Sequence, residues 1–290
     1  MRRFHTPKGD NTVCQFNSSA VKYISSTLKC PARSLNSEAA ANANSVIQKS
    51  DASISDVFRS DDFRNAKMIL TNVISFKGFW RLSFNVSETR VLPFYDEEQK
   101  EIRIVNMMQQ LNKFQVSNVT KISAMVLELP YNDYYSFLAV LPHVGVKLAE
   151  VYSCVETVSM RDILELLEVD NEIFGERSVM VNLPRFKIST NVILNRPLQS
   201  MSVVDIFDPK TASFRLVSDT EGLYVSAIVH KADIEVNETG TIASHALTSR
   251  LAELVEPVYF NANRPVLYFV VEKSTATVIL SGAYSKPTIY

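Results

Sequence analysis

Cysteine is scarce in this chain. Three in 290 residues, Cys14, Cys30 and Cys154, exclude a scaffold built from disulfides and leave at least one thiol without a partner inside the chain, a Cys14–Cys30 pair remaining open. Charge of one sign is missing too: 30 Lys and Arg face 31 Asp and Glu, and a net charge of −1 sets up no global field for a polyanion. Nucleic acid is therefore not an expected partner. With no Lys-Arg cluster, glycosaminoglycan binding is not expected either. Apolar runs are short and broken by charge, and none approaches the roughly 20 residues that span a bilayer, so no membrane partner is expected. The opening MRRFHTPKGDNTVCQ is basic but lacks the apolar stretch of a secretory leader. Seven glycines form no phosphate-cradling loop, and GxSxG, HExxH and CxxC are all absent. His5, His143, His230 and His245 fall at no metal-binding spacing, so neither metal nor cofactor is implied. Distant Ser, His and Asp can assemble a triad in any order, but nothing here marks one, and the chain does not read as an enzyme.

What is present describes a folded, core-rich chain: 46% apolar residues, 21% charged, mean hydropathy +0.02. The length allows one large core, and no repeat, linker or low-complexity tail divides it, so residues 1–290 read as a single domain. SEAAANANSVIQK at 37–49 predicts a peripheral helix with Ser37 as its cap. AKMILTNVISF at 66–76 predicts a strand buried on both faces. VLPFY, EIRIVNMM, FQVSNV and ISAMVLEL, between 91 and 129, and then YYSFLAVLP predict more strands. RDILELLEV at 161–169 predicts an amphipathic helix, SVMVNLPRFKI at 178–188 a strand marked by Pro184 as an edge, bulge or terminus, and 191–201 a further helix. Residues 222–238 read as one long extended segment, 239–256 as undetermined, and PVLYFVVEK with TATVILSGAY as a strand pair. The class is α+β, centred on sheet.

Several of these segments resemble the serpin family of proteinase inhibitors. NVISFKGFW at 72–80 starts the likeness and GLYVSAIVHKADIEVNETGT at 222–241 makes it specific. LPRFKI at 183–188, DIFDPKTASF at 205–214, FNANRPVLYFV at 260–270 and the closing SGAYSKP follow in family order, so the likeness runs from about residue 37 to the end. It implies a large central sheet with smaller sheets and a metastable fold. It also implies suicide-substrate inhibition, in which a proteinase cleaves an exposed reactive loop, here about 239–257, and the loop inserts into the sheet with the acylated enzyme attached. The partner implied is a serine, or alternatively a cysteine, endopeptidase with apolar preference. The alternative function is a noninhibitory serpin acting as substrate, decoy or binding protein.

Carried over residue by residue, the hinge falls on Glu238, Thr239, Gly240, Thr241 and Ala243, where Gly240 supplies backbone freedom and Thr241 and Ala243 are small enough to enter a sheet. Trp80, Asn72 and His230 fall in the sheet-opening region, Trp80 through ring packing and the other two through polar groups that change partners. Counting forward from Glu238 sets the scissile bond at Leu254–Val255, whereas a shortened loop counted from the far side sets it at Ala252–Glu253. Arg250, a trypsin-type site, ranks behind Leu254 because it leaves a short segment to insert. His245 shares the inward face with Thr241 and Ala243 and brings a large polar ring there, Ile242 replaces an acidic residue, and the loop is slightly short; these departures count against efficient trapping. Arg185 and Arg264 read as strand-end charges needing only solvent. The family's early helices have no counterpart at the front. Asn17, Asn85, Asn118 and Asn237 head sequons usable in a secretory pathway. The resemblance points outside the cell and the missing leader to the cytoplasm.

Overall fold

A computed structural model describes residues 14–17, 21–29, 36–50, 57–63, 66–175, 177–216, 221–239 and 256–287. Along the chain these carry β1 (Cys14–Asn17), β2 (Val21–Lys29), α1 (Asn36–Ser50), β3 (Met68–Lys77), β4 (Arg90–Tyr95), β5 (Glu101–Phe114), β6 (Val116–Val119), β7 (Ala124–Pro130) and β8 (Tyr135–Pro142). There follow α2 (Leu148–Val155), α3 (Met160–Phe174), β9 (Arg177–Pro184), β10 (Phe186–Ile193), α4 (Asn195–Ser200), β11 (Ala227–Val236), β12 (Val258–Asn261), β13 (Val266–Glu272) and β14 (Thr277–Tyr284). The class is α+β, as expected. The chain divides into two compact units, Met1–Lys77 with Lys187–Glu235, and Gly78–Phe186 with Val236–Tyr290.

The first unit is built on a five-stranded sheet of order β1-β2-β3-β11-β10. β3 is apolar at six of its ten positions and carries buried residues on both faces, as a central strand must. It pairs antiparallel with β2 and parallel with β11, the latter in nine register pairs from Ala227↔Ile69 to Glu235↔Lys77. On one face, Ala40, Ala43 and Ile47 of α1 pack against Val57, Phe58, Phe63, Ile69, Val73 and Val229. Their spacing of three and four residues puts them on one helix stripe. The other described side chains of α1 are exposed or half-buried, so it is the peripheral helix expected from sequence, joined to the sheet by this one stripe. Asn44 of α1 holds the helix to the chain by donating to the Phe58 carbonyl and accepting its N–H, both at 2.9 Å. The helix also begins before Ser37, which lies inside it rather than capping it. On the opposite face Met68, Leu223 and Val225 pack with Leu70, Ile206, Phe207, Phe214 and Ile228. The helix expected over 191–201 is only α4, since Val192 and Ile193 continue β10.

The second unit holds a four-stranded sheet, β12-β9-β5-β4, and a five-stranded sheet, β14-β13-β8-β7-β6. Val151 of α2 and Ile163, Leu164 and Leu167 of α3 join Val126, Leu138, Val140, Leu267 and Phe269 in one apolar core. Ser159 caps α3, its hydroxyl accepting the Asp162 N–H at 3.1 Å, and the helix runs to Phe174, beyond the expected end at 169. Pro184 is a strand terminus: β9 stops there and β10 begins two residues later.

A column of rings fills the second core of this unit. Phe84 and Phe137 meet Trp80 edge-on at 6.0 and 5.6 Å, and Phe137 stacks on Tyr268 at 5.7 Å. Tyr268 leads to Phe186, Phe186 stacks on Tyr284 at 4.7 Å, and Tyr284 meets Phe94. Burial pushes the Tyr268 and Tyr284 phenols up to about 12, in Tyr284 against a lowering by Arg103, so the column carries no charge near neutrality.

Candidate functional site

Where β11 ends, three successive carbonyls are fastened to the stretch Trp80–Phe84. The Trp80 indole Nε1–H donates to the Asn237 carbonyl at 2.6 Å, the Phe84 N–H to that of Glu238 at 3.2 Å, and the Trp80 N–H to that of Thr239 at 3.3 Å. The side chains repeat the attachment. Glu238 is 6% exposed, and its Oε1 accepts the Thr89 hydroxyl at 2.7 Å and faces Arg185 Nη1 at 3.6 Å. Asn237 folds its side chain back to accept the Thr239 N–H at 3.0 Å, an Asx-turn that fixes the direction in which the chain leaves. Trp80 itself is buried and stacks on Tyr131 at 4.6 Å with the rings 14° apart. Gly78 makes this stack possible, because any Cβ there would overlap the Tyr131 ring. The arrangement is a latch, which holds the chain backbone and side chain up to Thr239.

The first unit contains a second polar feature. Asn72 on β3 and His230 on β11 are register partners, and Asn72 Nδ2 lies 3.1 Å from His230 Nδ1. Both are half-buried, and desolvation lowers the His230 pKa below its ordinary value. No metal is needed to account for the ring: among the described residues no group of three or more His, Cys, Asp and Glu comes together. Among the same residues no helix is long and apolar enough to cross a membrane.

The family model described as Serpin (serine protease inhibitor) matches residues 6–287. The chain belongs to the serpin family. It is 34% identical to human Serpin B11 over 246 residues, which cover 83% of this chain and 61% of that protein. It is 34% identical to the leukocyte elastase inhibitor of Xenopus tropicalis over 224 residues, 76% of this chain and 58% of the relative. Among solved structures, serpin-12 of Manduca sexta superposes with a TM-score of 0.74 at 25% identity, covering 87% of this chain and 66% of that one. The serpin chain thus spans about three fifths of the length of these curated relatives. Membership places it with a non-catalytic fold.

Of the residues picked out in the sequence of this serpin, Trp80, Glu238 and Thr239 come together in the latch, and Asn72 and His230 form the pair on β3 and β11. Gly240, Thr241, Ile242, Ala243, His245, Arg250, Ala252, Glu253, Leu254 and Val255 lie outside the described residues. Among the sequon asparagines, Asn85 and Asn118 are exposed. Asn85 accepts from Ser87, Asn118 Oδ1 lies 2.8 Å from His143 Nε2, and half-buried Asn237 belongs to the latch; Asn17 lies in β1.

Two expectations are corrected. Arg185 is not a solvent-directed charge but reaches buried Glu238, and Arg264 donates to the Pro142 carbonyl at 2.8 Å, with burial lowering its pKa. A strand-end arginine next to proline has carbonyls and carboxylates of neighbouring strands within reach, and the five guanidinium donors find them. Thr89 and Tyr131 were missed altogether. Only the small residue at 78, beside a tryptophan, hinted at the close approach of a second ring.

Proposed function

We propose that this serpin is a suicide-substrate inhibitor of a serine endopeptidase with apolar preference. The latch carries the reading, because it fixes the chain through Thr239 and sends it out at the residue before Gly240. A path released at that point turns back on β11 with little backbone cost. After attack by the catalytic serine, the scissile C–N bond breaks, the new amine leaves with the distal chain, and the proximal side stays as an acyl-enzyme. Returning from the end of β11, that proximal segment enters between β3 and β11 antiparallel to both. One parallel ladder of nine register pairs is then replaced by two antiparallel ladders, which are the more stable kind and bond the new strand on both edges. Asn72 and His230 change partners at this step.

Leu254, with Ala252 as the shortened-loop alternative, suits the apolar pocket of an elastase-like or chymotrypsin-like enzyme, and the relatives named leukocyte elastase inhibitor support that class. A cysteine endopeptidase and a cut at Arg250 are the remaining variants of the same reading. His245 favours the second reading, a noninhibitory serpin, since insertion would take a polar ring into the sheet. If the chain meets the secretory pathway, exposed Asn85 and Asn118 are its acceptors of choice.

The test is incubation with trypsin-, chymotrypsin-, elastase- and papain-like proteinases, followed by denaturing electrophoresis and mass spectrometry of the released peptide. A stable adduct with a cut after Leu254, Ala252 or Arg250 is expected and fixes the register. Full cleavage without adduct by every active enzyme hands the function to the noninhibitory reading.

A further inference from the structure

Helix α3 has two apolar faces and spends only one of them on the core. Ile163, Leu164 and Leu167 enter the apolar core of the second unit. Leu166, Val169 and Ile173 follow one another at spacings of three and four residues, so they line up as a separate stripe on another side of the helix. Leu166 is half-buried at the margin of the core, whereas Val169 and Ile173 are 47% and 67% exposed. Phe174 is exposed as well, but the Arg177 guanidinium lies over its ring at 5.3 Å and accounts for it. Single exposed apolar side chains are ordinary on a protein surface. A row of them at alternating three- and four-residue spacing is the seam along which one helix receives another.

The flanks of this seam are all of one sign. With Leu166 and Ile173 at a and Val169 at d of a heptad, Glu165 and Glu172 take the g positions and Asp170 the e position beside Val169. The whole helix carries five carboxylates, Asp162, Glu165, Glu168, Asp170 and Glu172, against the one guanidinium of Arg161, in a chain whose net charge is only −1. A second copy of the helix would bring these flanks against their own kind, which repels. We propose that the outer stripe of α3 docks a basic amphipathic helix of another protein, apolar seam on apolar seam, with the partner's Lys or Arg beside Glu165, Asp170 and Glu172. From Leu166 to Ile173 the seam rises about 11 Å, or about two turns, so the contact is small and the complex transient and salt-sensitive. Charge pattern selects this partner, and the docking stands whether or not the chain inhibits a proteinase.

The test is fluorescence anisotropy with two labelled synthetic peptides of about three heptads, both with Leu at a and d, one with Lys and the other with Glu at e and g. The wild-type chain is expected to bind the Lys peptide, less tightly as salt is raised, and to leave the Glu peptide free. Val169→Ser with Ile173→Ser is expected to weaken binding of the Lys peptide about tenfold or more. Glu165→Lys with Glu172→Lys is expected to weaken it by a similar factor and to confer binding of the Glu peptide. Val144→Ser, an exposed apolar change elsewhere, is expected to leave binding unchanged. Thermal unfolding checks that each variant is folded, and Val169→Thr with Ile173→Thr replaces the first pair if that pair is not. No binding of the Lys peptide by the wild type, equal binding of both peptides, or wild-type affinity in both double variants overturns the site. Self-association of the wild type in sedimentation, lost in Val169→Ser with Ile173→Ser, overturns the basic partner and gives the stripe to a second copy.

Discussion

The β3–β11 seam of the first unit and the Trp80–Glu238 latch of the second solve different problems with different bonds. Along the seam nine residue pairs face each other through a backbone ladder, and the polar side chains add the Asn72–His230 contact and, at its end, the Lys77–Glu235 ion pair at 3.2 Å, while the Thr71 hydroxyl beside Asn72 is buried without a hydrogen-bond partner. In the latch three carbonyls, a buried carboxylate, an indole N–H and a stacked ring pair all engage within a few residues. A backbone ladder can be exchanged for other backbone ladders, whereas a network of side chains and rings must be broken as a unit. The seam is thus suited to being opened and the latch to holding still. Sequence-local β propensity builds the first, and precise tertiary placement builds the second.

The sharpest way to break this contrast is to remove the centre of the latch. Trp80→Ala deletes the stack on Tyr131, two edge-on ring contacts and the bond to Asn237, and it is expected to cost about 3–5 kcal/mol of unfolding free energy, read by urea denaturation. A loss below about 1 kcal/mol would mean that the rings repack and the latch is not rigid. Gly78→Ala attacks the same stack from below. The added methyl must displace the Tyr131 ring, for an expected loss of about 1–3 kcal/mol, and Gly78→Ala combined with Tyr131→Leu should recover part of it. Glu238→Gln keeps a partner for Thr89 but removes the charge opposite Arg185. Because Arg185 is partly exposed, the expected loss is only about 1 kcal/mol, together with faster cleavage just after Thr239 in limited proteolysis.

Legibility in the sequence followed the same division. β3, β13 and β14 could be read directly, because continuous apolar or alternating runs bounded by polar turns have few other uses. α2 could not: LAEVYSCV is eight residues whose apolar content suits a strand as well as a helix, and its helical state is settled by Val151 packing on the sheet. In the site, Trp80, Glu238 and the Asn72–His230 pair were legible through the serpin resemblance rather than through periodicity. Their partners were not. Thr89 and Arg185 lie far from Glu238 in sequence, and no local pattern marks a threonine or a strand-end arginine as the mate of a buried carboxylate. The positions from Gly240 to Val255, proposed as the reactive loop, lie outside the described residues, and the cleavage experiment fixes their register.

The smallest expected effect is also the one that isolates the seam. Desolvation of His230 holds its pKa in the folded protein below the ordinary value of 6.5, so the unfolded chain takes up the proton first as the solution is acidified. Between 6.5 and the lower folded value the unfolded state binds more protons than the folded one. Stability is therefore fully present above about 6.5 and declines as the pH falls through the folded value. The urea midpoint should drop between pH 7.5 and pH 5.5 in the wild type. In His230→Gln, whose amide can still pair with Asn72, the drop over that interval should be smaller, any remainder belonging to other groups. Trp80→Ala, by contrast, should retain the full wild-type pH dependence on a lower baseline, because the latch contributes nothing to that proton uptake. If the pH dependence of Trp80→Ala vanished instead, the seam and the latch would be one coupled device, and their separation into an opening part and a holding part would be wrong.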